Sequence, residues 1–159
     1  MDGYLYTIVF VDDLSNAPFV DFMKYKYETV DCLRKFEARY AMIGKIAVWR
    51  TDNDASFTSA EMSSYLQEKL VSQETTIPYN SHMNGRAENA ILQLTTITRC
   101  LLKQGRMAKP MWVPAMRTAA YLRRFAISKH DGRKKTLFEL FFGRQPDICL
   151  LYTSRAHET

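Results

Sequence analysis

The strongest constraint on the fold is a run of aromatic and β-branched residues near the start, Tyr4-Leu-Tyr-Thr-Ile-Val-Phe-Val11, closed by Asp12-Asp13. Such a run reads as a buried strand. Ser15-Asn16-Ala17-Pro18 is a turn cluster, and Phe19-Val-Asp-Phe-Met23 is a second strand. The two strands, within residues 4–23, are thus predicted to form an antiparallel hairpin.

The period then changes. Val30, Leu33, Phe36, Tyr40 and Ile43 lie on one face of a helix that Gly44 is placed to end. Ile46-Ala-Val-Trp49 is a short apolar strand, followed by the polar loop Arg50-Thr-Asp-Asn-Asp54. Ser59 is placed to cap a short helix containing Met62, Tyr65 and Leu66. Residues 71–75 read as another strand, and residues 77–85 as a loop containing Pro78, Asn80, Asn84 and Gly85. A long helix follows, with Ala87, Ile91, Leu94, Ile97 and Leu101 as its apolar stripe and a stop at Gln104-Gly105. Pro110 fits the first turn of a helix through Trp112, Ala115, Ala119 and Leu122, and residues 136–142 form a short final one. Strands, then a βα alternation, then helices predict an α/β fold with a mixed sheet.

With 159 residues the chain suits one compact domain. No window approaches the eighteen apolar residues of a transmembrane helix, and no basic stretch precedes the first apolar run as in a secretory signal. Three scattered cysteines without a CxxC pair disfavour a disulfide framework and a zinc knuckle. The net charge of +5 hides an asymmetry: residues 1–98 carry 9 Lys and Arg against 13 Asp and Glu, a net of −4. Residues 99–159 carry 13 against 4, a net of +9. A polyanion-facing surface joined to a carboxylate-bearing core accounts for this, and so do plainly solvated basic helices.

Two carboxylates stand out. Asp52 follows a buried strand, where open α/β sheets place ligand-binding groups. Glu88 sits in the first turn of the long helix, where the helix dipole favours an acid in any case. Alone, each is more simply a turn or cap residue. Together they are separated by 35 residues that hold a helix, a strand and a Pro-Tyr-Asn loop.

That pairing and five ordered stretches resemble the catalytic core of a copia-type retrotransposon integrase. Tyr6-Thr-Ile-Val-Phe-Val-Asp-Asp-Leu-Ser15 resembles the family's strand ending in Asp-Asp-aromatic-Ser-Arg. Arg50-Thr-Asp-Asn-Asp-Ala-Ser-Phe-Thr-Ser59 resembles Arg-Ser/Thr-Asp-Asn-Gly-Gly-Glu-Phe-Thr-Ser. Pro78-Tyr-Asn-Ser-His-Met-Asn-Gly-Arg-Ala-Glu88 resembles Pro-Tyr-Thr-Pro-Gln-Gln-Asn-Gly-X-Ala-Glu. Residues 112–122 resemble the Phe-Trp…Ala…Tyr-Leu helix. Phe138-Glu-Leu-Phe-Phe-Gly-Arg-Gln-Pro146 resembles the copia Tyr-Glu-Leu-Trp-Phe-Gly-Lys-Lys-Pro.

The resemblance implies a ribonuclease-H-like mixed sheet flanked by helices, with extra C-terminal helices, over residues 3–148. It implies a D,D-35-E (DDE) polynucleotidyl transferase that performs metal-dependent DNA 3′-end processing and strand transfer. Asp52 and Glu88 would be catalytic metal ligands, and Asn84, Arg86 and Arg99 nucleic-acid contacts. Two Mg²⁺ (or Mn²⁺) ions, roughly 3.5–4 Å apart, serve such in-line displacements at phosphodiesters. The implied partners are retroelement DNA ends, target DNA and further integrase subunits, with no membrane. The implied location is the nucleus or a cytoplasmic virus-like particle.

The sequence also departs from the family. The family's first carboxylate lies on a strand upstream of the one starting here at Tyr4, and only Met1-Asp2-Gly3 precede it. Asp2 falls at a turn, and Asp12 and Asp13 fall where their role is structural, capping the turn near Ser15. The expectation is a core lacking its first, central strand, marginally stable and inactive on its own. The family's zinc-binding N-terminal domain is likewise not expected in this fragment. Asp54-Ala55-Ser56 replaces Gly-Gly-Glu, which removes permissive glycines after Asp52. Asn89, Ala90 and Leu92 stand where basic residues line the first helical turn, which weakens phosphate attraction; Arg86 and Arg99 partly compensate.

Residues 149–159 read as a non-biological tail. Cys149-Leu-Leu-Tyr-Thr-Ser154 back-translates into a sequence resembling a transposon-end sequencing adapter. His82 reads as a solvated loop residue, Trp49 and Trp112 as core, and Arg133-Lys134-Lys135 as a solvated basic loop. Two alternatives to the integrase stand: a non-catalytic nucleic-acid-binding relic of a decayed element, and another ribonuclease-H-like nuclease or transposase.

Overall fold

A computed structural model describes residues 3–75, 85–130 and 132–147. The expected hairpin is present: β1 (Tyr6–Val11) pairs antiparallel with β2 (Pro18–Met23) in the register Tyr6↔Met23 to Val11↔Pro18. Its turn is closed by Asp12, whose Oδ2 accepts from the Ser15 amide (2.7 Å) and hydroxyl (2.6 Å). Asn16 takes the left-handed conformation there, φ 57°, which asparagine tolerates better than most residues.

Alternation along the hairpin sends side chains to two cores. Ile8, Phe10, Phe19 and Met23 face a core shared with α1 (Thr29–Tyr40) and α2 (Ala60–Lys69). Val9, Val20 and Phe22 face the opposite side, toward the long helix α3 (Gly85–Gln104) and α4 (Trp112–Arg123). The hairpin is therefore the middle layer of a three-layer α/β/α arrangement. Its first core is dense in rings: Phe36 lies 4.3 Å from Phe10 and 4.8 Å from Tyr40, centroid to centroid.

The second sheet is β3 (Val48–Thr51) paired in parallel with β4 (Ser72–Thr75). Among the described residues no strand lies between β1 and β3, so the mixed sheet is split into two pairs. A cavity of about 980 Å³ separates them, lined by Ile8, Phe10, Phe36, Ile46, Trp49 and Val71 among others. The Phe10 and Trp49 rings reach toward each other there, 5.6 Å apart. The Trp49 indole nitrogen is buried without a hydrogen-bond partner among the described residues.

Several boundaries differ from those read in the sequence. α1 stops at Tyr40 rather than near Gly44, leaving Ile43 46% exposed. β3 is shifted two residues along from the predicted 46–49, so that Asp52 directly follows its last residue, Thr51. α3 turns Ala90, Leu94 and Thr98 inward, while Ile91 is 49% exposed, so its buried stripe is rotated by about one residue. Ser59 caps α2 as expected, accepting from the Met62 amide at 3.2 Å. Pro110 sits in a 3-10 turn (Lys109–Met111) that leads into α4.

One element went unforeseen. Arg133-Lys134-Lys135 is not a loop but part of β6 (Arg133–Thr136), paired with β5 (Ile127–His130). Three adjacent cations mask a strand in any hydrophobicity pattern, yet Asp131-Gly132 between the two segments is a hairpin signal, and Gly132 has φ +74°. Thr136 then starts α5 (Leu137–Phe142) with a capping box to Glu139. That cap delivers Phe141 to within 4.6 Å of Phe19.

Candidate functional site

The candidate site forms where the C-terminal end of β3 approaches the first turn of α3. Parallel pairing with β4 carries β3 to Thr51, which is buried. The Gln73 amide nitrogen donates to Thr51 Oγ1 and to the Phe57 carbonyl, both at 2.9 Å. Those bonds tie the loop after β3 to the sheet. Asp52 therefore leaves the strand end with its carboxylate exposed; its Oδ1 accepts the Asp54 amide at 3.3 Å.

The segment that lacks the family's glycines closes its turn by other means. Asp54 Oδ1 accepts the Ser56 amide (3.0 Å) and hydroxyl (2.8 Å), and its carbonyl accepts the Phe57 amide (2.9 Å). No residue from Asn53 to Phe57 has a positive φ, so a glycine is not required here. Lys26 Nζ bonds Asp54 Oδ2 at 2.9 Å. The Ser56 amide, together with Lys26 and the Ser56 hydroxyl, holds the Asp54 carboxyl down to about 2.

Glu88 lies in the first turn of α3 and is exposed. Neither Asp52 nor Glu88 forms an ion pair among the described residues, so both keep carboxylate oxygens available. Carboxylate oxygens are hard donors of the kind Mg²⁺ takes, with water and phosphate oxygens completing its shell. Among the described residues no three potential ligands gather in one place.

A residue assigned only a turn role joins the two elements. Asp13 Oδ1 lies 3.7 Å from Arg50 Nη1 on β3. The Asp13 carbonyl and carboxylate both accept from the Arg86 guanidinium on α3. Arg50 is also held by Glu74 of β4, through Nε (3.2 Å) and Nη2 (3.1 Å). Asp13 thus gathers the residue two before Asp52 and the residue two before Glu88 at one carboxylate. No local pattern announces this contact, because Arg86 and Asp13 are 73 positions apart.

The remaining expected contacts divide. Arg86 is engaged with Asp13, yet its side chain remains exposed to solvent. Arg99 is exposed, without an ion pair among the described residues. Eleven residues beyond Glu88 is about three helical turns, so Arg99 shares Glu88's face at a distance of about 16 Å along the axis. Asn84 and His82, like the tail at 149–159, lie outside the described residues. Trp49 and Trp112 pack against the cores, as expected.

No family model matches the chain. Over 124 residues, 77% of its length, it is 30% identical to the retrovirus-related Pol polyprotein from transposon TNT 1-94 of Nicotiana tabacum. The chain spans only 9% of that polyprotein. Among solved structures, a chain of the simian T-cell lymphotropic virus intasome in complex with PP2A regulatory subunit B56 gamma superposes with a TM-score of 0.72. That likeness covers 89% of this chain and 49% of the other at 21% identity. The HTLV-2 integrase catalytic core domain in complex with magnesium gives 0.64, covering 84% and 82% at 19% identity. The fold is therefore the ribonuclease-H-like fold of integrase catalytic cores, and the sequence is similar to a segment of a retrotransposon polyprotein.

Proposed function

We propose that this chain is the catalytic core of a copia-type retrotransposon integrase, a polynucleotidyl transferase for DNA 3′-end processing and strand transfer. The observation that carries the reading is the meeting at Asp13. It brings the strand end bearing Asp52 and the helix start bearing Glu88 to one carboxylate, on a fold shared with integrase cores. Asp52 and Glu88 would hold divalent metal, two Mg²⁺ or Mn²⁺ ions in the full site. A metal held there would supply Lewis-acid activation of an attacking oxygen and charge stabilisation of a leaving one. The neighbouring solved core is described as a complex with magnesium.

The chain's own residues do the positioning. β3 and β4 hold Asp52 at a fixed strand end. Asp13, Arg50 and Arg86 set α3 against it, and Arg99 offers a cation to a phosphate farther along the same helix face. Partners on this reading are element DNA ends, target DNA and further integrase subunits, with the nucleus or a virus-like particle as the place of action. No helix among the described residues is long and apolar enough to cross a membrane.

The test is a strand-transfer assay with Mg²⁺ or Mn²⁺ on a DNA-end substrate. On the chain carrying an added Asp-bearing strand before residue 4, activity should fall to background in Glu88→Gln and in Asp52→Asn, and survival of activity in either overturns the site. A second reading, a DNA-binding relic without catalysis, is favoured by the absence of a third ligand among the described residues. Supplying an Asp-bearing strand in front of residue 4 separates the two: it restores activity to an incomplete core and does nothing for a relic.

A further inference from the structure

A second polar feature lies on the other side of the hairpin, and no lining residue of it belongs to β3, β4 or α3. β2 pairs only with β1, so its outer edge is open among the described residues. α1 covers one face of this edge and α4 the other. A cavity of about 380 Å³ opens between them, bounded by Arg39 from α1, Arg117 from α4 and Arg124, the residue that caps the C-terminal end of α4. Arg117, Ala120 and Arg124 fall at i, i+3 and i+7, one face of the helix. Ala120, with its single methyl, leaves the hollow between the two guanidinium groups.

The three arginines are not balanced by acids. Asp21 is the one carboxylate among the lining residues. Arg39 already takes both of its oxygens, Nη2 to Oδ1 at 3.2 Å and Nη1 to Oδ2 at 3.3 Å. Arg117 and Arg124 have no acidic partner among the described residues. Instead, each is held over a ring: Arg117 Cζ lies 5.2 Å from the Phe22 centroid, and Arg124 Cζ lies 5.0 Å from Phe19 and 5.7 Å from Tyr121. Aromatic faces orient a guanidinium without neutralising it. One hydrogen bond of Arg124 goes back to the Ala120 carbonyl at 3.3 Å. Burial lowers the Arg124 pKa below the ordinary arginine value, against an opposing pull from Tyr40, as expected for a cation short of countercharge.

We infer that this hollow is a binding site for a phosphate group, seated between Arg117 and Arg124 with Arg39 at its rim. Planar guanidinium groups present paired N–H donors that match the oxygens of phosphate. The volume admits a hydrated phosphate or a diphosphate. The same chemistry is offered by free phosphate compounds and by the backbone of a nucleic acid.

The experiment uses the full chain at constant ionic strength. Pyrophosphate is titrated calorimetrically against a chloride control, and an oligodeoxynucleotide without terminal phosphates is then titrated with and without pyrophosphate. Pyrophosphate should bind above the chloride background. Its affinity should fall at least tenfold in Arg124→Gln and several-fold in Arg117→Gln, with Lys134→Gln on β6 changing it less than twofold. Arg117 is exposed, so its variant tests the site even where Arg124→Gln disturbs packing. Arg124→Lys keeps the charge but loses the fork, and should also weaken binding. Competition between the two ligands, with the same arginine dependence, identifies a backbone phosphate as occupant; pyrophosphate binding without competition identifies a free one. The site is overturned if pyrophosphate does not bind above chloride, or if Lys134→Gln weakens binding as much as the arginine variants.

Discussion

The two strand pairs of this molecule are built on opposite terms. The β1–β2 hairpin is covered on both faces, and six of its residues that point into the cores are less than 9% exposed. The β3–β4 pair is covered on one: Val48 is 45% exposed, and Ser72, Glu74 and Thr75 are exposed. The hairpin sequence is apolar on both alternations, whereas β3 and β4 mix charged and hydroxyl residues with one large ring, Trp49. The difference places stability and chemistry in separate halves. Of the carboxylates proposed to act, Asp52 stands at the end of the thinly covered pair, and Glu88 faces water from the first turn of α3, whose buried side rests on the hairpin; the hairpin carries the load of folding.

The sharpest way to break this comparison is to truncate one side chain in each half. Phe36→Ala, which removes a ring touching Phe10, Phe19, Tyr40 and Trp49, should cost about 3–5 kcal/mol. Val48→Ala should cost about 1 kcal/mol or less, because nearly half of its surface already faces water. Denaturant midpoints measure both, and equal losses would end the distinction. Next in size, Thr136→Ala removes the α5 capping box and should cost about 1 kcal/mol, since the helix it starts delivers Phe141 and Phe142 to the hairpin core.

Asp13→Ala sharpens the comparison at the boundary between the halves. Asp13 is 71% exposed at its side chain, so its ion pairs should contribute less than about 1 kcal/mol to global stability. Amide exchange in the first turn of α3 should nevertheless accelerate, while exchange in β1 and β2 stays unchanged. Equal acceleration in all three would show that Asp13 supports the whole fold rather than the meeting of β3 and α3.

The smallest effect is on pH dependence. Asp54 titrates near 2 in the folded chain against an ordinary value of 3.8. A lowered folded value means that its contribution is complete above 3.8 and is lost as pH falls toward about 2. The difference in melting temperature between the native chain and Asp54→Asn should therefore be present at pH 6 and shrink below pH 4. A difference constant from pH 6 to pH 2 would remove Asp54 from the acid response. Exposure of the Lys26–Asp54 pair keeps the effect modest.

Much of the architecture was legible because it depends on local patterns. The hairpin at residues 4–23, the cap at Ser59, the long helix before Gln104 and the proline entry to α4 all follow from alternation, period and turn chemistry within about a dozen residues. The boundaries of α1 and β3 were not, because burial against the rings of the hairpin core, rather than propensity, decides where those elements stop. β5–β6 was hidden because β6 is three cations and a threonine, with no apolar alternation to mark a strand.

By itself the sequence determined the order of elements, the two carboxylates 35 residues apart, and the acidic-then-basic charge plan. Only the tertiary structure decided what those residues meet. It engaged Arg86 with Asp13, left Asp52 and Glu88 without an ion pair among the described residues, and drew Arg39, Arg117 and Arg124 around one hollow. Such encounters join side chains tens of positions apart. They arise from how helices pack across a hairpin, and no periodicity along the chain encodes them.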